Sequence, residues 1–107
     1  MMPKLLVIAD DFTGALDTGV QFSNYGINTL VTTNKSVDYK SLKEKIDVLV
    51  IDTESRYLSS KDSYQIVNDI ALRASRYNIS YIYKKLIQLF GEISVVKLRH
   101  FLMLSQI

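Results

Sequence analysis

Three clusters of polar residues follow short apolar runs in this sequence: Asp10-Asp11, the segment from Asp52 to Arg56, and Lys84-Lys85. In open parallel sheets, ligands collect beyond the carboxyl ends of the strands. Three charged strand ends in one chain therefore point to a site. The plain alternative is that charges end strands because the chain turns there, and one such end alone would carry little weight. The chemistry on offer is narrow. His100 is the single histidine and there is no cysteine. Thiolate metal sites, disulfides and a cysteine nucleophile are excluded, and acid–base work must fall to Asp, Glu, Lys, Ser, Thr or Tyr. Thr13-Gly14-Ala15 follows the first cluster. A glycine at the start of a helix lets a ligand approach free backbone N–H groups. The same residues also read as a Thr N-cap with a Gly chosen for close packing. The segment is not a Walker A loop, since it lacks the multi-glycine cradle and the Lys-Ser/Thr that follows it. Asp17 falls inside the same helix, where it either faces the ligand or, as the favoured reading, stands as a solvated residue.

The elements that must position these groups follow from periodicity. KLLVIA at 4–9 and DVLVID at 47–52 are continuous apolar runs of the kind found in strands buried on both faces. INTLVTT at 27–33 and ISYIYKK at 79–85 are rich in β-branched and aromatic residues and read as two more strands. A helix is expected from near Thr13 to about Asn24, with Ala15, Leu16, Val20 and Phe22 on its apolar side. Gly26 stands where helices end in the left-handed conformation. The polar stretch 34–46 holds a helical turn at most, in YKSLKEK. A second helix is expected from about Lys61 to Tyr77, capped by Ser59 or Ser60, with Asp62 near its start. Its stripe is Tyr64, Val67, Ala71 and Ala74, widened by Ile66 and Ile70. The order predicts an α/β fold, a partial Rossmann-like parallel sheet of about four strands with flanking helices, in an incomplete domain.

Length and composition bound the rest. The chain has 107 residues, 48% hydrophobic and 22% charged, which suits one small globular domain. Its net charge is +2 and the basic residues are dispersed, which argues against nucleic acid as a partner. No apolar run is long enough to span a bilayer, and no signal peptide is recognisable, so a cytoplasmic protein without a membrane partner is expected.

LLVIADDFTGALDTGVQF at 5–22 resembles the opening of the four-carbon acid sugar kinases, which phosphorylate acids such as threonate, erythronate or 3-oxo-tetronate with ATP. DTESRYLSSKDSYQ at 52–65 is similar to that family's strand-end motif Asp-Thr-x-Ser-Arg, and YKK at 83–85 matches a third position in register. The resemblance implies that residues 1–85 are the first part of a sugar-acid-binding domain. It implies substrate contacts from Asp10, Asp11, Thr13, Ser55, Arg56 and Lys85. Asp10 and Asp11 would accept hydrogen bonds from substrate hydroxyls, and either could orient or deprotonate the attacking one. Arg56 would pair with the substrate carboxylate through its planar fork. ATP and Mg2+ are implied for the full-length family, but neither is expected to bind this fragment, and no metal ligand is assigned.

After Lys85 the family pattern stops. Codons compatible with residues 86–96, read one nucleotide earlier, can spell Thr-Asp-Ser-Ala-x-Arg-Gly-Asn-Ile-Gly, the family's next motif. Residues 86–107 are accordingly expected to be an aberrant, out-of-frame tail, produced by loss of one A from the run encoding Lys84-Lys85. Such a fragment would bind a four-carbon sugar acid weakly, transfer no phosphate alone, and self-associate through its exposed sheet. Two other classes fit parts of the sequence. A receiver-like phosphoacceptor module would use Asp10-Asp11, Asp52 and Lys84; a non-catalytic interaction protein would use the apolar tail.

Overall fold

The computed structural model describes residues 3–42, 45–77, 79 and 81–85, the last three by their backbone. Four strands form one parallel sheet: β1 (Leu5–Ala9), β2 (Thr29–Thr32), β3 (Val48–Asp52) and β4 (Tyr81–Lys85), in the spatial order β2-β3-β1-β4. The two continuous apolar runs occupy the middle, and every residue of β1 and β3 is buried. An all-apolar strand is stable only with both faces covered. Successive side chains along a strand point to opposite faces. Leu5, Val7 and Ala9 therefore join Val48 and Val50 in one core, while Leu6 and Ile8 join Leu49 and Ile51 in the other.

The first core is roofed by α1 (Phe12–Asn24). Its buried face is Gly14, Ala15, Thr18, Gly19 and Phe22, a spacing of three and four residues. The small residues let the helix approach β2 closely: a Cβ on Gly19 would lie 2.5 Å from Val31 Cγ2. This corrects the expected apolar side. Ala15 and Phe22 are fully buried, but Leu16 and Val20 are 41% and 55% exposed. The larger side chains were the more obvious anchors, yet the helix turns its small ones to the sheet. The helix ends as the glycine signal predicts. Gly26 has φ +76, its N–H donates to Ser23 O, and the Ile27 N–H donates to Phe22 O. That pair of bonds is a Schellman closure, with Ile27 packed on the core that holds Phe22.

The opposite core is roofed by α2 (Ser60–Ala74), with Ile70 and Ala74 buried and Ile66 and Val67 partly so. Tyr64, expected in that stripe, is 66% exposed, because the contact face follows 66/67/70/74. The helix stops at Ala74 rather than Tyr77, and Arg76 and Tyr77 donate to the carbonyls of Arg73 and Ala74 in a tighter turn. Val37 and Tyr39 also join this core. Tyr39 sits at a 3₁₀ turn, Tyr39–Ser41, and its ring lies 4.9 Å from that of Tyr77. Burial pushes the Tyr39 hydroxyl above its ordinary pKa, against a smaller pull from Arg73. No helix among the described residues is long and apolar enough to cross a membrane. The tail 86–107, expected to be out of frame, lies outside the described residues.

β1 and β3 are neighbours, but the helices that follow them cover opposite faces. Connections leaving adjacent strands in opposite directions open a crevice at their carboxyl ends, where ligands of such sheets bind. Register brings three strand ends to this edge, with Ala9 opposite both Asp52 and Lys85.

Candidate functional site

The ends of β1 and β3 are stitched together by a short loop. Thr53 donates to Ala9 O through both its backbone N–H and its hydroxyl, each at 2.9 Å. The Thr53 and Ser55 hydroxyls lie 2.7 Å apart. The N–H groups of Ser55 and Arg56 both converge on Asp10 O, at 2.9 and 3.1 Å. Thr53 and Ser55 are buried, so these bonds form away from competing water. The backbone between Asp52 and Arg56 is thereby fixed against the end of β1.

Asp10 is nearly buried, at 9% exposure. Asp11 follows in extended backbone, φ −145, and is the N-cap of α1. Its Oδ1 accepts the Gly14 N–H at 2.7 Å. Asp11, two residues before Thr13, therefore takes the capping position, and Thr13 stands exposed in the first turn. The other Asp11 oxygen, Oδ2, meets Arg56 Nη1 at 3.2 Å, with the two side chains 17% and 31% exposed. The Arg56 guanidinium also lies 5.6 Å from the centre of the Tyr57 ring. A guanidinium has five N–H donors, and this pairing uses one of them.

Asp52 is fully buried. Its Oδ1 accepts the Glu54 N–H at 3.0 Å, while its buried Oδ2 has no hydrogen-bond partner among the described residues. Glu54 adopts φ +48, a conformation uncommon for a residue with a side chain. Its exposed carboxyl titrates above the usual range, first because its protonated form can donate to Asp52, then through local desolvation and the charges of Asp52 and Asp11, with Lys35 pulling the other way. An ionised carboxylate only accepts, so Glu54 can donate to Asp52 only in its protonated form.

Asp10, Asp11, Ser55 and Arg56, expected at the site, are thus brought together at one joint. Thr13 is adjacent on α1, and the β4 register carries Lys85 to the same edge. The Ser55 hydroxyl is engaged with Thr53. Asp17 is exposed and accepts from Gln21 at 3.0 Å, as a solvated helical residue does. Thr53 and Glu54 were not among the expected site residues. Their signal was present in the Asp-Thr-x-Ser-Arg spacing, but their roles follow from the loop's path. A groove of about 450 Å³ between Lys35, Ser36 and α2, lined there by Ile66, Asp69, Ile70 and Arg73, shares no residue with this joint. The convergent polar groups lie instead at the strand ends. The joint can offer a fixed cation and a nearly buried carboxylate to a small polyhydroxy acid. Among the described residues no three His, Cys, Asp or Glu are grouped so as to hold a metal ion.

Residues 5–87 match the family model described as "Sugar-binding N-terminal domain". The chain is 44% identical over 64 residues to a D-threonate kinase of Salmonella typhimurium, covering 60% of this chain and 14% of that protein. It is 33% identical over 70 residues to a D-erythronate kinase of Heliobacterium modesticaldum, covering 65% of this chain and 16% of that one. The matched stretch is therefore a small part of each relative's length. No solved structure matches significantly.

Proposed function

Given that this chain belongs to the sugar-binding N-terminal domain family, as a four-carbon acid sugar kinase N-terminal domain, we propose that the β1–β3 joint binds a four-carbon sugar acid for phosphorylation by ATP. The observation that carries this reading is the meeting of the two family motifs at one joint, where Arg56 of the second bonds to Asp11 of the first across 45 residues. Arg56 receives the acid's carboxylate on its remaining N–H donors. Asp10 accepts a substrate hydroxyl and holds it for reaction. Thr13 lines the approach, the β4 register brings Lys85 to the same edge, and Thr53 and Ser55 hold the loop's shape. We assign the nucleotide to the part of the relatives' length that the match does not cover, and no transfer to this chain alone. The setting is cytoplasmic. Tyr81 and Ile82 of β4 are 44% and 42% exposed, one toward each face of the sheet, and this exposed sheet is the place for self-association. The phosphoacceptor alternative draws no support from Asp52, which is fully buried.

Titration of the 107-residue chain with D-threonate and D-erythronate, followed by amide NMR, tests this reading. The expected result is binding at roughly millimolar level, with the largest shifts at residues 10–13 and 53–56. Saturating shifts confined to other parts of the sheet, or none with either acid, would overturn it.

A further inference from the structure

Asp11 stands at the site, but both of its oxygens are already engaged within the fold. Oδ1 lies 2.7 Å from the Gly14 nitrogen and Oδ2 lies 3.2 Å from Arg56 Nη1. The first bond ties the carboxylate to the start of α1, which packs on β1, β2 and β3. The second carries that rigidity to a long, rotamer-rich side chain on a loop. Fixing an arginine side chain costs rotamer entropy, so an arginine already oriented binds an anion more tightly than a wandering one. The rest of the Arg56 environment agrees. Its backbone N–H is held by Asp10 O and its guanidinium lies by the Tyr57 ring.

We infer that Asp11 is a positioning residue, which caps α1 with one oxygen and with the other orients the Arg56 guanidinium for the substrate's carboxylate. This rests on the substrate reading above and assigns the two adjacent aspartates different tasks. In that reading Asp10 meets a hydroxyl directly, whereas Asp11 reaches the substrate only through Arg56. The opposite possibilities are sharp. A carboxylate that merely competed with the substrate for Arg56 would weaken binding, and its removal would strengthen it. A carboxylate that touched a substrate hydroxyl would matter even without Arg56.

Asp11→Asn separates these outcomes. Asn caps helices as well as Asp, so the fold is kept. Its single carbonyl oxygen goes to the Gly14 N–H, which leaves an NH2 facing Arg56. D-threonate and D-erythronate titrations of the full chain are expected to show roughly tenfold weaker binding in Asp11→Asn, the scale of one charged hydrogen bond. In an Arg56→Ala background the same change is expected to have no further effect. Unchanged or tighter binding in Asp11→Asn overturns the inference, as does an equal loss in both backgrounds. Ligand-free NMR of the Arg56 side chain provides a second reading that needs no sugar acid. Asp11→Asn must shift the Arg56 Nε–H signal and speed its exchange, and an unmoved signal overturns the inference. If the unaltered chain takes neither acid while that signal does move, the substrate reading falls and the role of Asp11 toward Arg56 stands.

Discussion

Two starts of structure in this molecule obey the same local rule and end differently. At α1, Asp11 accepts the N–H of the residue three positions on; at α2, Ser59 accepts the Asp62 N–H at 3.1 Å, again three positions on. Both satisfy one of the orphan amides of a helix N-terminus. Ser59 stops there, in an exposed turn whose neighbour Tyr57 is 90% exposed. Asp11 has a second oxygen, and it reaches across 45 residues to Arg56 beside a buried web made by Thr53, Ser55 and the carbonyls of Ala9 and Asp10. The lesson is that a cap is local, whereas a joint between strand ends joins distant parts of the chain. The first supports a helix and the second assembles a site.

Thr53→Val is the strongest way to break this contrast. It keeps the shape but removes a buried hydroxyl that donates to Ala9 O and lies 2.7 Å from Ser55 Oγ. A loss of about 1–3 kcal/mol is expected from leaving a buried partner unsatisfied, read by chemical denaturation. Ser59→Ala is expected to cost less, about 0.5–1 kcal/mol, because only one exposed cap bond goes. Equal costs for the two would remove the distinction between joint and cap. Glu54→Gln is a finer probe, read through pH. Glu54 titrates above its ordinary value near 4.5, so the folded chain holds its proton more tightly than the unfolded one. The stabilisation is present below that ordinary value and is lost as pH rises through the folded-state value. The advantage of Glu54→Gln over the unaltered chain should therefore grow across that rise and then level off. A difference that does not vary with pH would show that Glu54 and Asp52 do not share a proton.

Much of this was legible in the residues. LLVIA and VLVID could bury both faces only inside a parallel sheet, and Gly26 marked the end of α1 because its φ of +76 suits a residue without Cβ. Ser59 was readable as a cap because capping depends on three residues of local chain. The helix faces were less legible. Leu16 and Val20 have the apolar area, but Gly19 lets the backbone come so near Val31 that the small-residue face wins. Close approach between segments is invisible to a pattern that counts hydrophobicity.

The sequence by itself determined which residue types stand at the strand ends, where α1 turns off, and that Asp10, Asp11, Ser55 and Arg56 fall within family motifs. Local chain chemistry and apolar period suffice for these. Only the tertiary structure decided that the second oxygen of Asp11 goes to Arg56 and that Asp52 ends fully buried beside the end of β1. Those outcomes depend on β1 and β3 lying side by side with Ala9 opposite Asp52. Residues more than forty positions apart meet through that register, and no spacing along the chain encodes it.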